Sequence, residues 1–351
     1  MKRLEYEANI VKIVAWELTK KCMLNCKHCR AEAENISYEN ELSFDEAKLI
    51  IDSLSKELPV LLILTGGEPL MRQDIFEIAS YAYSKRIMVV MATCGSLITN
   101  ETICKLKASG VQKLSFSIDG FDELSHDEFR GQKGAFNEVV RAANLSKEHS
   151  MLFQINTTLT RSNSQYLERI NNFANELGAD LHDIFIMIPT GRADNIRDEL
   201  LDSEQYDEVL SWVAQEVLLA RRKIRVTCAP HYSRIFNETS KKLGIVPNPN
   251  SRKPSPCMGG KNFFFISHTG QLYPCGFFPV EGGNLRKNNY DFGKISAESK
   301  LFTELKNQKL YKGKCSICSY FSSCGGCRAR ALSINSGYLG DEPFCSYIPH
   351  D

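Results

Sequence analysis

Three cysteines crowd one short stretch near the start of the chain, Trp16-Glu17-Leu18-Thr19-Lys20-Lys21-Cys22-Met23-Leu24-Asn25-Cys26-Lys27-His28-Cys29. Spaced C-x3-C-x2-C, their thiolates can converge on one soft metal centre. Three is the informative number. A structural zinc takes four protein ligands, whereas a cubane has four irons, so three thiolates leave one iron open to a small molecule. Two blander readings are a zinc site that borrows His28, and cysteines buried as small hydrophobes. Lys- and Asn-rich surroundings argue against the second. Further along lie Cys257, Cys275, Cys315, Cys318, Cys324, Cys327 and Cys345, four of them spaced C-x2-C-x5-C-x2-C. Taken alone, that spacing reads as a zinc ribbon built on Cys315, Cys318, Cys324 and Cys327. Cys94 and Cys104, on a strand end and an amphipathic helix, read as ordinary buried thiols.

The chain has 351 residues, 13 of them cysteine, and 43% are hydrophobic. That suffices for one large domain and a smaller one. The N-terminus, MKRLEYEANIVKIVAW, carries charges and lacks the apolar centre of an export signal, so the cysteines are not a disulfide framework. With 43 Lys and Arg against 42 Asp and Glu, no excess field is present to hold a nucleic acid. Apolar runs such as Val60 to Leu64 and Ile87 to Ala92 are far shorter than the roughly 20 residues that cross a bilayer. The expectation is a cytoplasmic protein with neither a nucleic-acid nor a membrane partner.

Elements that would position the first cysteines alternate between short β-branched runs and amphipathic stretches. Strands are expected at Val11 to Leu18, Val60 to Thr65, Met88 to Thr93, Lys113 to Ser117, Phe153 to Thr158 and Asp183 to Ile188. A helix should start at Ser43, which with Glu46 makes a capping box. Others are expected near Gln73 to Lys85, Asn100 to Ser109, Gly134 to Ser146, Ser164 to Leu177 and Ser203 to Ala220. Six βα repeats imply an α/β fold of parallel strands with right-handed crossovers, and periodicity leaves barrel and open sheet as alternatives. The texture then turns to Pro, Gly, Asn and Ser, which places a domain boundary near residue 230 to 250, drawn between a core of residues 1–230 and a linker and tail of 231–351. Phe263 to Ser267 and Gln271 to Pro274 read as a hairpin. Beyond Cys315 apolar periodicity fades, so order there is expected to depend on bound metal.

The first cysteine group resembles that of the radical S-adenosylmethionine (SAM) enzymes, as do Thr65-Gly66-Gly67-Glu68-Pro69 after strand two and Ser115-Phe116-Ser117-Ile118-Asp119-Gly120 at the end of strand four. The resemblance implies a partial (β/α)6 barrel. It also implies a SAM-binding 4Fe-4S cluster on Cys22, Cys26 and Cys29, whose open iron chelates the SAM amine and carboxylate. Gly66, Gly67 and Glu68 would hold the amine, with Ser117 and Asp119 also at the SAM site and Arg130 in a segment that holds the carboxylate. Electron transfer from a flavodoxin- or ferredoxin-type reductant would then release methionine and a 5'-deoxyadenosyl radical. Sites at the carboxyl ends of parallel strands fit such barrels.

The tail resembles the SPASM extension, which carries auxiliary 4Fe-4S clusters. By position, Cys315, Cys318, Cys324 and Cys345 would complete one cluster. Cys257, Cys275 and Cys327 would hold another, its fourth ligand being Cys228, His231, substrate or nothing. The x2 spacing of Cys324-Gly325-Gly326-Cys327, where x3 is usual, leaves one or two auxiliary clusters open. Within this group, Ala15-Trp16-Glu17-Leu18-Thr19, Thr227-Cys228-Ala229-Pro230-His231-Tyr232 and Cys324-Gly325-Gly326-Cys327-Arg328-Ala329-Arg330-Ala331 are similar to the haem synthases of the alternative haem pathway. These oxidatively decarboxylate two propionates of iron-coproporphyrin III to vinyl groups, which implies a tetrapyrrole substrate. Arg30, Arg192, Arg234, Arg328 and Arg330 are candidates to receive propionates, and His231 a candidate iron ligand. Alternatives are modification of another tetrapyrrole or of a ribosomally made peptide. The 21 residues before Cys22 leave no room for the leader-binding domain common in peptide maturases. A plain iron-sulfur electron carrier would need neither Gly66-Gly67-Glu68 nor the Asp119 segment.

Overall fold

The computed structural model describes residues 11–247, 254–334 and 337–349. The charged residues 1–10 that opened the reading of the N-terminus lie outside them.

Ten strands form one sheet: β1 (Lys12–Glu17), β2 (Val60–Thr65), β3 (Met88–Ala92), β4 (Val111–Ser117), β5 (Leu152–Leu159), β6 (His182–Ile186), β7 (Ile224–Thr227), β8 (Phe263–Ile266), β9 (Gln271–Tyr273) and β10 (Gly283–Asn284), in the order β10-β9-β8-β1-β2-β3-β4-β5-β6-β7. The six expected strands are present. β1 to β7 run parallel, each beside its successor. Between them lie α1 (Phe44–Leu54), α2 (Ile75–Ser84), α3 (Asn100–Ala108), α4 (Glu123–Arg130), α5 (Ala135–Glu148), the single turn α6 (Arg161–Ser164), α7 (Leu167–Glu176) and α8 (Ser203–Leu218), with α9 (Tyr232–Leu243) after β7.

Alternation decides which face of the sheet is dry. Val60, Leu62 and Leu64 of β2, Val89 and Met91 of β3, Leu114 and Phe116 of β4, and Phe153 and Ile155 of β5 are buried and share one core with Ile50 and Ile51 of α1, Ala79 of α2, Ile103 of α3 and Ala142 of α5. Residues on the opposite face of these strands, among them Thr65, Ser115, Ser117, Gln154, Asn156 and Thr158, are only half-buried. This polar inner surface is the wall a bound molecule would meet.

Two features extend the expected architecture. β7 is a seventh parallel strand, too short at four residues for a period-2 signal. The hairpin β8–β9 is present where the turn residues put it, but β8 pairs in parallel with β1, Ile13 to Trp16 lying opposite Phe263 to Ile266. The tail therefore continues the barrel sheet past its first strand. Phe264 fixes this junction with edge-on contacts to Phe292 and Phe302, each 5.2 Å between ring centroids, a favourable aromatic geometry. The Ser43 capping box is formed, and Glu46 serves twice: it caps α1 and accepts from Arg286 at 2.6 Å and Tyr290 at 2.8 Å. No helix among the described residues is long and apolar enough to cross a membrane.

Glu17, at the end of β1, joins three segments. It pairs with Arg30 at 2.6 Å and accepts from His268 Nδ1 at 2.8 Å. Burial pushes its carboxyl up, but Arg30 and His268 outweigh this and hold it at about 2. A carboxylate held below its ordinary value contributes stability above that value and loses it as pH falls toward the lower one. The difference from 4.5 corresponds to roughly 3 kcal/mol. Glu17→Gln should therefore destabilise the protein by about that amount in urea unfolding at pH 7, with a penalty that shrinks as pH drops below about 4.5. A penalty identical at pH 7 and pH 3 would rule out the ionic origin.

Candidate active site

Cys22, Cys26 and Cys29 sit on the loop between β1 and α1, which contains neither helix nor strand. Other loops hold it. Gly67 N–H donates to the Thr19 carbonyl at 2.7 Å and Glu68 N–H to the Lys21 carbonyl at 2.8 Å, while Lys27 N–H reaches the Phe129 carbonyl at the end of α4. Beyond β6, Arg192 donates from Nε to the Cys26 carbonyl at 2.8 Å and from Nη1 to the Ala33 carbonyl at 2.9 Å. The contacts are so close that a Cβ on Gly67 would lie 2.3 Å from the Lys21 oxygen, and one on Gly191 2.4 Å from the Arg30 oxygen. Glycine stands there because a side chain would collide with the cysteine loop.

The three cysteines share a buried cluster with Leu24, Ala31, Ala33 and Ala135. Burial pushes the Cys22 thiol up to about 12, and charge on Glu68, Cys26 or Cys29 would push it further. Cys26 is also raised by burial, against the pull of Arg130, whose Nη1 lies 3.7 Å from its sulfur. Bare thiolates are thus disfavoured, and a bound cationic centre would compensate them. No disulfide ties up these sulfurs, so the donor set suits an iron-sulfur cluster.

Around the loop, the strand ends bring the other expected residues together. Glu68 is fully buried and accepts from Thr93 Oγ1 at 2.8 Å, Cys94 N–H at 2.7 Å and Leu70 N–H at 3.1 Å. Its carboxylate thus braces the ends of β2 and β3. Asp119 takes the Thr158 N–H at 2.6 Å and pairs with Arg130 at 2.5 Å. Burial acts to raise its carboxyl, yet the charges of Arg130, His28 and His126 bring it below the ordinary range. Arg130 consequently links the end of β4 to Cys26. Ser117, the last residue of β4, is half-buried on the inner face two residues before Asp119.

The tail cysteines divide into two sets. Burial pushes the Cys228 thiol well up, and charge on Cys327, Cys275 or Cys257 would add to this. Cys275 responds likewise to Cys257 and Cys327. Cys324 responds instead to Cys345 and Cys315, and Cys318 caps the short helix Gly313–Ile317 that carries Cys315. Three positions apart in sequence, Cys324 and Cys327 thus respond to the charges of different cysteines. Among the described residues no three His, Cys, Asp or Glu side chains converge closely enough to hold a single ion. A multi-iron cluster is larger than an ion and spaces its thiolates wider.

Residues 16–174 match the model of the radical SAM superfamily. An AdoMet-dependent heme synthase of Nitratidesulfovibrio vulgaris is 42% identical over 99% of this chain and 95% of its own length. Another, of Methanosarcina barkeri, is 40% identical over 97% of this chain and 98% of its own. The chain belongs to the radical SAM superfamily. Among solved structures, SuiB of Streptococcus suis bound to S-adenosylmethionine superposes with a TM-score of 0.73 at 16% identity, over 96% of this chain and 78% of that one. That likeness shows the shared fold.

Radical SAM enzymes use a 4Fe-4S cluster and SAM, and the tail is consistent with auxiliary clusters of the SPASM type. Several expectations need correction against this radical SAM site. The five arginines offered for propionates all have protein partners, Arg30 on Glu17, Arg192 on the cysteine loop, Arg234 on Asp207 and Glu238, Arg328 on the Gly326, Tyr338 and Gly340 carbonyls, and Arg330 on Glu342, while Arg192 Nη2, Arg234 Nε and Arg330 Nε are buried without one. Cys104 is exposed rather than buried, with its sulfur 3.9 Å from His149 Nδ1. Cys94, read as an ordinary thiol, packs beside the three loop cysteines. Only its place after β3, level with Glu68, hinted at this. Glu342 and Thr93 carried no motif at all and emerge only from contact.

Because Gly67 lies against the Lys20 and Lys21 backbone, Gly67→Ala should displace the cysteine loop. Expected is loss of iron bound at that loop and at least tenfold weaker SAM binding by calorimetry, with circular dichroism unchanged. Full iron content and unaltered affinity would show that the close approach is unimportant.

Proposed function

We propose that the chain makes haem by oxidative decarboxylation of two propionates of iron-coproporphyrin III. The observation that carries this is likeness at about 40% identity, along essentially the whole chain and so across both cysteine groups, to proteins named AdoMet-dependent heme synthase. In this reading residues 1–230 form the catalytic core and residues 231–351 the auxiliary-cluster domain. Cys22, Cys26 and Cys29 hold the SAM-binding cluster. Gly66, Gly67, Glu68, Ser117, Asp119 and Arg130 surround SAM, Glu68 also bracing the turn that carries the glycines.

When bound, cluster and SAM supply a 5'-deoxyadenosyl radical that removes a hydrogen atom from carbon. The protein's part is to aim one bond and exclude water. Thr65, Ser115, Ser117, Asn156 and Thr158 offer hydroxyl and amide groups along the inner face, and Arg130 keeps a positive charge beside Cys26 and Asp119. Loss of hydrogen from the β-carbon of a propionate leaves a substrate radical. Release of carbon dioxide and one electron then gives the vinyl group, so an acceptor must stand nearby. Cys257, Cys275 and Cys327, with Cys228 as the fourth thiol, would hold it. Cys228 is the choice here because its thiol responds to charge on all three of those cysteines, whereas the His231 ring lies tilted against Tyr206, centroids 5.1 Å apart. The reductant that starts each turnover is proposed to be of the flavodoxin or ferredoxin type.

Anaerobic reaction with iron-coproporphyrin III, SAM and dithionite should give, by mass spectrometry, products lighter by one and then two units of formic acid (carbon dioxide plus two hydrogens). Unchanged substrate alongside vigorous SAM cleavage would defeat the substrate assignment. The combined Cys22→Ala, Cys26→Ala, Cys29→Ala variant should cleave no SAM yet retain tail iron; a folded variant empty of iron would defeat the two-region assignment. Cys327→Ala should keep most 5'-deoxyadenosine formation while losing vinyl product. Proportional retention of both would remove the tail from the electron path.

A further inference from the structure

Glu342 stands between the two tail cysteine sets and touches both. Its Oε2 accepts the Cys327 N–H at 2.7 Å, and its own N–H reaches the Cys315 sulfur at 3.4 Å. The residue is 1% exposed and pairs at 3.2 Å with Arg330, which is 0% exposed. Arg330 donates from Nη2 to the Cys228 carbonyl at 2.9 Å and lies 5.1 Å from the centre of the Tyr206 ring. Cys228 is itself held at a left-handed φ of 65°, a conformation that costs a non-glycine residue energy and persists where surroundings enforce it.

Two charges so deeply buried forfeit their hydration, and well-packed apolar residues often stabilise a fold as well or better. Stability alone is a weak reason for the pair. What it provides is a fixed separation of charge in a low-dielectric interior, with the carboxylate on the Cys327 N–H and the guanidinium on the Cys228 carbonyl, while the Glu342 backbone N–H lies on the Cys315 sulfur. A negative charge held near a redox centre opposes its reduction, and a positive charge favours it.

We propose that the Glu342–Arg330 pair sets the reduction potentials of the tail clusters, Glu342 lowering and Arg330 raising them, and thereby fixes how readily the set at Cys257, Cys275 and Cys327 takes the electron released with carbon dioxide. This rests on the cluster assignment made under the proposed function. The substrate radical gives up one electron as its carbon–carboxylate bond breaks, and the acceptor gains that electron. Neither residue touches substrate; both act as positioning residues through the cysteines.

The test uses the full chain carrying Cys22→Ala, Cys26→Ala and Cys29→Ala, so that tail iron alone reports, with electron paramagnetic resonance followed during a redox titration. Glu342→Gln should move a tail midpoint upward and Arg330→Gln should move it downward. Each should change the oxidised-to-reduced ratio at fixed potential about tenfold, which is about 59 mV for one electron. Glu342→Asp, which keeps the charge, should stay nearer the parent than Glu342→Gln. Shifts of the same sign in both Gln variants, unchanged midpoints with iron retained, or loss of tail iron from both would overturn the proposal, the last by making the pair a brace only. A parent protein with no tail iron would overturn the underlying cluster assignment as well, an outcome distinct from unchanged midpoints in a loaded parent.

Discussion

The loop from residue 18 to residue 43 has to hold three cysteines in register without a helix or strand of its own. Its backbone groups must still find partners, since an unpaired buried amide or carbonyl is costly. Some pair within the loop, as Cys22 N–H does with the Glu34 carbonyl, and others on segments that follow the strands: the Gly66-Gly67-Glu68 turn after β2, Phe129 at the end of α4, and Arg192 beyond β6. Parallel strands make this possible because all their carboxyl ends emerge on one side of the sheet. The barrel's usefulness here lies in delivering several loops to the same place.

The same dependence explains why residues that sequence spacing marks as ligands or binding groups also act as struts. Glu68 is enclosed by donors from Thr93, Cys94 and Leu70, and Arg130 joins Asp119 to the Cys26 sulfur. Charge is distributed accordingly. Asp119 lies buried with Arg130 beside it, Glu68 is held by neutral donors, and the thiols remain in surroundings that disfavour a free thiolate. Such a pocket is poised for a metal cluster rather than for exposed nucleophilic thiols.

The tail is tied to the barrel by sheet pairing, by aromatic packing and by Glu46 and Glu17, which reach Arg286 and His268 respectively. It is therefore not a separate module on a flexible tether. β8 lying directly beside β1 sets the position of the tail against the barrel.

The sequence by itself determined the parallel βα order, the Ser43 cap, the hairpin at His268-Thr269-Gly270 and the two cysteine groups, because each rests on local periodicity, turn chemistry or spacing. Tertiary structure alone decided the rest. β7 was too short to announce itself, and no local signal could show that β8 would pair with β1. That Arg30, Arg234 and Arg330 pair with Glu17, Asp207 and Glu342 was likewise set only when folding brought these distant carboxylates against them. The split of Cys324 from Cys327 does not follow from their C-x2-C spacing, which taken alone reads as one ribbon; between them the chain turns through Gly325 and Gly326, both at positive φ, and the two thiols respond to charge on different cysteines from distant parts of the chain.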